Sequence, residues 1–168
     1  MNHQALIQQF IKMLNNLDAI LAKVPAYADA KKFDPAVLLG ARLAPDQFSL
    51  TRQVQIACDT AKLSASRLSG KDAPVHEDNE KTLEELRARI QSVVAYLSGF
   101  SEKDFSGAGE RKVSLPRWEG KTLTGDEYFV HHAIPNLFFH VTTAYAILRH
   151  NGMDIGKKDY LGSLPLKG

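Results

Sequence analysis

Three polar residues recur at a helical spacing in the last third of the chain, and their types suit the binding of a metal or a substrate. His132, Asn136 and His140 are each four residues apart. On an α-helix they form one row at the edge of the apolar face, with His132 nearest the polar side. A histidine pair without carboxylates is a poor indication of a metal site. The row therefore fits either a polar site that faces the interior or a buried structural histidine hydrogen-bonded to an amide.

The other reactive or charged side chains offer less. Cys58 is the only cysteine, so no intramolecular disulfide can form, and on an apolar stripe its thiol is expected to be inert core. The cluster of Lys157, Lys158 and Asp159 is expected to be exposed. The formal net charge is +2 and the basic residues are scattered, which argues against nucleic-acid binding.

Four long amphipathic segments must position these residues. Apolar side chains recur three and four residues apart in each of them, and most of the segments are bounded by start or stop signals. The predicted helices run from Leu6 to Val24 with Pro25 as the stop, from Ser49 to Ser69 before Gly70, from the Thr82–Glu85 capping box to Gly99, and from Asp126 to Asn151. Pro135 lies inside the last helix and is expected to kink or split it.

The segments between these helices predict the rest of the architecture. Residues 25–47 form a long connection that contains a short helix. Residues 100–124 are expected to form a small hairpin or an irregular excursion, with Trp118 packed back onto the helices. The tail from Met153 is expected to be extended. Together these features predict one all-α domain over residues 1–168, a four-helix bundle. The long first connection argues against a plain up-down-up-down meander with tight turns.

The last helix also carries a resemblance to a known superfamily. His140 is followed by Leu148-Arg149 and then by Gly152, a spacing similar to that in the last helix of the DinB-like (YfiT-like) four-helix-bundle superfamily. Further segments resemble one uncharacterised family within it, which is catalogued as a domain of unknown function. These segments are Pro135–Tyr145, Gly156–Gly162, Ala41–Asp46 and Gln53–Asp59. The resemblance covers most of the chain.

The resemblance implies a bundle that is often dimeric, and a set of candidate metal ligands. In superfamily members with a working site, three histidines bind a divalent ion, one from the second helix and two from the last. Here His140 matches the last histidine, Asn136 stands in the place of its partner, and Gln55 stands in that of the second-helix histidine. Amide oxygens are poor ligands for zinc or nickel beside imidazole. We therefore expect a degenerate site that does not hold zinc, nickel or manganese tightly, although a kink at Pro135 that swings His132 inward would restore two histidines.

Two functional hypotheses follow. The first is a non-catalytic protein that binds a small molecule or dimerises and keeps only a degenerate metal site. The alternative is a metal-dependent or thiol-cofactor-dependent enzyme, of the transferase or isomerase type, that uses a pocket around His140. No signal peptide or membrane span is evident in the sequence, so we expect a cytoplasmic location and no membrane partner. The resemblance implies a homodimer, and the scattered basic residues argue against a nucleic-acid partner. No cofactor is expected, with a divalent metal as the open alternative.

Overall fold

The computed structural model describes residues 1–167, and its regular structure is helical. In chain order the helices are α1 (His3–Leu21), α2 (Val24–Lys31), α3 (Ala36–Leu39), α4 (Leu50–Ser69), α5 (Leu83–Ser98), α6 (Gly125–Tyr128), α7 (Ile134–His150) and α8 (Lys157–Leu161). A π-helical turn over Phe129–Ala133 joins α6 to α7, and three short 3-10 turns lie between α5 and α6. Within residues 1–167 no β-strand forms. The predicted all-α class is confirmed.

The long helices pack around one core as a four-helix bundle. α1 packs against α5 and α7, and α4 packs against the same two helices. α1 and α4 are consecutive long helices in the chain, yet they lie diagonally across the bundle because the connection that contains α2 and α3 carries the chain over. The sequence argues against a plain meander with tight turns, and the structure has a crossover connection in its place.

Small side chains on α4 allow α7 to approach closely. Ala57, Ala61 and Ala65 are fully buried on α4, and α4 and α7 form an extensive helix pair. On the other side of the core, Phe10 of α1 stacks on Phe129 with ring centroids 5.1 Å apart. Burial of each large apolar side chain contributes roughly 1.5–3 kcal/mol to folding. The close approach brings the polar residues at the edges of α4 and α7 within hydrogen-bond distance of one another.

The helix ends follow the local sequence signals, with one difference. Gly70 ends α4 with a positive φ of 79°, and Thr82 begins α5 with the predicted capping box to Glu85. Pro25 was expected to stop the first helix, but α1 ends at Leu21 and Pro25 lies in the first turn of α2. Proline is well suited to a first helical turn because the N–H that it lacks has no partner there.

The excursion before α6 is irregular and ends against the bundle. Val113 and Leu123 form an isolated antiparallel bridge, so the segment is a short loop closed at its base. Trp118 packs edge-on against Tyr128 and His132, at 6.3 and 5.6 Å between ring centroids. The predicted return of this tryptophan to the bundle is confirmed.

The sequence predicts an extended C-terminal tail, but part of the tail is helical. Lys157–Leu161 form α8, which packs on α1: Asn16 donates from Nδ2 to the carbonyl oxygen of Tyr160 at 2.9 Å, and Lys23 pairs with Asp159. These contacts hold a short helix that no periodic pattern could indicate. Gly168, the last residue of the predicted domain, lies outside the described residues.

Candidate functional site

His140 lies buried between α7 and α4, where it is bonded to Gln53. Its Nδ1 is 2.7 Å from Oε1 of Gln53, and the Nε2 of Gln53 donates to the carbonyl oxygen of Phe48 at 3.1 Å. Because the Gln53 oxygen must then accept, Nδ1 of His140 carries the proton. Burial, together with the positive charge of Arg52, lowers the pKa of His140 to about 4. His140 is therefore neutral at pH 7.

Asn136 lies one turn before His140 and bonds a different residue of α4. Its Nδ2 donates to Oγ1 of Thr60 at 2.6 Å, and the hydroxyl of Thr60 donates in turn to the carbonyl oxygen of Ile56 at 2.7 Å. Asn136 and His140 thus lie one turn apart on α7, and each bonds its own partner on α4.

Gln55 is held on the other side of α4. Its Nε2 donates to Glu80 at 2.8 Å, and its Oε1 accepts from Arg52 at 3.1 Å. Gln55 thereby joins a network centred on Arg89, whose side chain is buried and pairs with Asp59, Asp78 and Glu80. The three family-matched residues, Gln55, Asn136 and His140, thus bond three different partners and not one another. The α4 glutamine that faces His140 is Gln53, two residues before Gln55.

His132 lies outside this row because the π-helical turn changes the helical register before α7. Its Nε2 contacts Nη2 of Arg117, and its ring stacks on Tyr128 with centroids 5.4 Å apart. A guanidinium can only donate, so Nε2 accepts and Nδ1 carries the proton. That Nδ1 is buried and has no hydrogen-bond partner within residues 1–167. π-helical turns are frequent at functional sites.

A cavity of about 190 Å³ lies between α4, the π-helical turn and the Leu115–Arg117 segment. His132 and Asn136 line it together with Thr60, Tyr128 and Arg67, and the side chains of Ile56, Leu63, Leu115 and Pro116 supply an apolar wall. Ligand cavities for drug-sized molecules occupy roughly 300–1,000 Å³. This cavity therefore suits a smaller molecule that has both a polar and an apolar part.

Two guanidiniums reach the cavity without a carboxylate partner. In the described part of the chain, neither Arg67 nor Arg117 forms an ion pair, whereas Asp59, the carboxylate of the lining, is already paired with Arg89 at 2.7 Å and Lys62 at 3.0 Å. Burial, then the charges of Arg117 and Arg67, lower the pKa of His132. The cavity therefore has a positive local charge.

The donor set around these residues does not fit a tightly held divalent metal. Among residues 1–167, no group of three or more His, Cys, Asp or Glu side chains is arranged to hold one. The amides of Asn136 and Gln55 are engaged with Thr60 and Glu80, and the acceptor nitrogen of His132 is covered by a guanidinium that would repel a cation. Tight zinc sites in proteins need three or four His, Cys or carboxylate ligands. Metal content itself stays a prediction.

The two arginines of the cavity were not singled out from the sequence. Arg67 follows Thr60 by seven residues and so shares its face of α4, a signal that the helical period could have given. Arg117 comes from an irregular segment, whose path no periodicity specifies. Cys58, by contrast, is fully buried, and burial raises the pKa of its thiol to about 12, so a nucleophilic thiolate is not available there.

The bundle, with its crossover and its polar residues between α4 and α7, defines an all-α protein of the DinB-like class. The chain belongs to the family described as a domain of unknown function, DUF1993, whose model matches residues 3–161. The predicted family is thereby confirmed.

Among solved structures, the chain is similar to a DinB family member protein from Shewanella denitrificans. The two share 58% sequence identity over 99% of this chain and 97% of the other, with a TM-score of 0.94. In the comparison with curated proteins, nothing matches this chain. In the described residues, no helix is long and apolar enough to cross a membrane.

Proposed function

We propose that this protein binds a small organic molecule in the cavity between α4, the π-helical turn and the Leu115–Arg117 segment. The observation that carries the proposal is the pair of guanidiniums, Arg67 and Arg117, which line this cavity and form no ion pair within residues 1–167. Each guanidinium has five N–H donors. Arg67 uses one on Tyr128 and Arg117 uses one on His132, so donors remain for a bound molecule or an ordered water.

The lining supports small-molecule binding over a purely structural void. Empty cavities in proteins are apolar, whereas cavities with several polar groups hold water or ligand. Thr60, Asn136 and His132 supply polar groups to the lining, and Ile56 and Leu63 supply apolar ones. A few placed polar groups in an otherwise apolar cavity are typical of ligand sites.

A fragment screen by ligand-observed NMR tests the proposal. Neutral, anionic and cationic fragments of up to about twelve non-hydrogen atoms are presented to the wild-type protein and to Leu63→Trp, in which an indole fills the cavity mouth. We expect fragments that bind the wild type and are lost in Leu63→Trp. The matched control is Val75→Trp, at an 89% exposed position, which should bind like the wild type. Binding by all three proteins alike, or by none, would contradict the proposal.

The alternative proposal is an enzyme of the transferase or isomerase type that uses a divalent metal or a thiol cofactor around His140. One observation favours it: a neutral imidazole whose Nδ1 is bonded to Gln53 keeps the Nε2 lone pair available to a metal. The nearby positive charge of Arg52 opposes it, and this is why small-molecule binding without a tight metal is our first proposal.

Elemental analysis of untagged protein separates the two. Near-stoichiometric zinc, nickel or manganese that is lost in His140→Ala would establish the metal alternative. Metal far below one equivalent in the wild type, with His140→Ala only less stable, would assign His140 a structural role.

We also propose that two copies of the chain associate. The family resemblance supports this, and so does an apolar face on α7 where Leu43, Phe138 and Phe139 line one shallow cavity of about 440 Å³. Phe139 is 55% exposed.

A further inference from the structure

We propose that the molecule held in this cavity is a small carboxylic acid, with its carboxylate between the guanidiniums of Arg67 and Arg117 and its apolar body against Leu63 and Leu115. The inference rests on the proposed small-molecule function and specifies its ligand class. Three features carry it: the charge of the cavity, the direction of its hydrogen bonds and its apolar wall.

Two of the cations next to the cavity have no carboxylate partner within residues 1–167. On one side of α4, the cations Arg52, Lys62 and Arg89 are matched by the carboxylates of Asp59, Asp78 and Glu80 within one ion-pair network. Asp59 therefore has no charge to spare for the cavity. Arg67 and Arg117 remain, and within residues 1–167 no carboxylate pairs with either. Arginine presents its N–H groups in a planar fork that matches a carboxylate.

The hydroxyls of Thr60 and Tyr128, which line the cavity, already donate their protons to other protein atoms. Ser64 donates to the carbonyl oxygen of Thr60 at 2.6 Å, so in its 3.2 Å contact with the hydroxyl of Tyr128 the tyrosine must donate. Arg67 donates to the same tyrosine oxygen at 3.0 Å. Thr60 donates to Ile56. Because these hydroxyls donate elsewhere, the donors that the cavity offers to a ligand acceptor are the guanidinium N–H groups of Arg67 and Arg117.

This arrangement disfavours the other ligand classes. A cation would face two guanidiniums, and a neutral alcohol or amide would leave their charge uncompensated. A phosphate or sulfate would satisfy the charge, but it has no apolar part to cover Ile56, Leu63, Leu115 and Pro116. A dry cavity of about 150 Å³ can hold benzene, so one of about 190 Å³ accommodates a ring with a carboxylate at its polar end. Benzoate is the simplest probe of this class.

Three probes of similar or smaller size separate charge from shape. Benzoate, benzyl alcohol and inorganic phosphate are titrated at pH 7 into the full-length protein, with affinity measured by ligand-observed NMR or calorimetry. We expect benzoate to bind at least about tenfold more tightly than benzyl alcohol, because a hydrogen bond to a charged group is worth a factor of about ten or more. Benzoate should also bind more tightly than phosphate, and raising the salt concentration should weaken it.

Two variants with the same charge change locate the site. Arg117→Gln removes a cavity guanidinium from an exposed position of an irregular turn and should raise the Kd of benzoate by at least about tenfold. Arg111→Gln removes an exposed arginine from the same excursion, and its Kd should stay within twofold. Circular dichroism of both variants should match that of the wild type.

The outcomes distinguish failure of this inference from failure of the proposed function. Benzyl alcohol that binds as tightly as benzoate and is lost in Leu63→Trp would overturn the carboxylic-acid inference and leave the small-molecule function intact. The same holds if Arg117→Gln leaves the Kd of benzoate unchanged, or if phosphate binds more tightly than benzoate. Absence of binding by all fragments would overturn both.

Discussion

At the scale of single residues, His132 is the side chain whose chemistry depends most on its neighbours. Its ring contacts those of Tyr128 and Trp118, which also contact each other, and its acceptor nitrogen faces Arg117. Burial disfavours the imidazolium, and the guanidiniums of Arg117 and Arg67 add to that effect, so the pKa of His132 lies below its ordinary value of 6.5. At pH 7 the ring is neutral, and its one N–H, on Nδ1, is buried.

The Arg117→Gln substitution tests this electrostatic account. It removes the nearest positive charge while burial and Arg67 remain, so the pKa of His132 should rise part of the way toward 6.5. The imidazole proton shifts in an NMR pH titration report this value directly. Arg111→Gln should leave it unchanged, and an equal pKa in the wild type and Arg117→Gln would show that the guanidinium does not act on the ring.

The sequence predicted which helix carries Asn136 and His140, but it did not predict which side of α4 faces them. The spacing of His132, Asn136 and His140 predicts all three on the last helix. Asn136 and His140 lie on α7, whereas His132 lies in the π-helical turn that precedes it. Motif matching chose Gln55 as their partner, whereas Gln53 bonds His140. Side chains two positions apart on a helix point in directions that differ by about 200°. Gln53 and Gln55 therefore lie on opposite sides of α4, and a shift of two residues in the motif alignment exchanges them. Only the packing of α4 on α7 fixes which side faces inward.

At the scale of elements, Arg89 ties three segments together. It lies on α5, and its buried guanidinium bonds Asp59 of α4 and both Asp78 and Glu80 of the connection between those helices. The connection is otherwise polar and irregular. Arg52 and Gln55 of α4 also contact this connection, through Asp78 and Glu80, but Arg89 is the buried side chain that bonds both carboxylates. No apolar pattern in the sequence predicts these polar contacts.

Replacement of Arg89 should lower stability far more than replacement of its neighbour Arg87. Removing one partner of a buried ion pair costs about 3–5 kcal/mol; the carboxylates here keep some exposure, so for Arg89→Met we expect about 3 kcal/mol. That corresponds to roughly 6–12 °C in Tm for a chain of this size. Arg87 pairs with Asp18 but is 40% exposed, so Arg87→Met should cost below about 1 kcal/mol. Equal losses in thermal denaturation would contradict this account.

The same network predicts the acid limit of stability. Burial alone would raise the pKa of Asp78 and of Glu80, but hydrogen bonds from Arg52, Gln55 and Arg89 outweigh it and lower both pKa values below the ordinary 3.8 and 4.5. Their contribution is therefore complete above those ordinary values and is lost as the pH falls through the lower folded ones. The Arg89→Met variant should show a smaller loss of Tm than the wild type between pH 6 and pH 3.

The start of α6 has no room for a side chain. A Cβ on Gly125 would lie 1.9 Å from the carbonyl oxygen of Ala108 and 2.9 Å from a methyl of Leu68. Gly125→Ala must displace backbone, so we expect a loss of at least about 2 kcal/mol, or roughly 4–8 °C in Tm. Gly156→Ala is the matched control, since open space surrounds its Cβ, and it should change stability by less than about 1 kcal/mol. Similar Tm values for both would contradict the close packing.

Elements with strong local signals were predictable, and those fixed by tertiary contact were not. The capping box at Thr82 and the glycine stop at Gly70 specify α5 and α4 from the sequence alone. The π-helical turn at Phe129–Ala133 and the short helix α8 depend on packing against the excursion and α1. Pro135 gave the one useful hint, because a proline inside a predicted helix requires the preceding turn to adjust.

At the scale of the whole molecule, the crossover between α1 and α4 decides where the cavity beside Arg67 and Arg117 forms. It places α4 between α5 and α7, so one side of α4 carries the balanced ion pairs with Arg89 and the other carries the hydrogen bonds to Asn136 and His140. The excursion then closes over this second side with Arg117. One side of α4 therefore carries the ion pairs around Arg89, whose charges are matched. The other side faces the cavity with Arg67 and Arg117.

The apolar face of α7 beside that cavity predicts the oligomeric state. Of the four aromatic residues near the start of the last helix, Tyr128 and Phe129 are fully buried and Phe138 is partly buried, which leaves Phe139 exposed next to Leu43. Pairing of this face with that of a second copy would bury the exposed ring and apolar area around it. We expect multi-angle light scattering of the wild type at high micromolar concentration to give twice the 18.6 kDa of the chain.

Two matched charge substitutions locate the interface within that dimer. Phe139→Glu places a carboxylate at the centre of the proposed contact, where pairing would bury it without a partner, and it should yield monomer at the same concentration. Val75→Glu puts the same charge on an 89% exposed valine outside this face and should remain dimeric. A wild type that is monomeric at high micromolar concentration would rule out the dimer. A Phe139→Glu protein that stays dimeric would move the interface elsewhere, because a buried unpaired carboxylate at its centre costs far more than the loss of one aromatic contact.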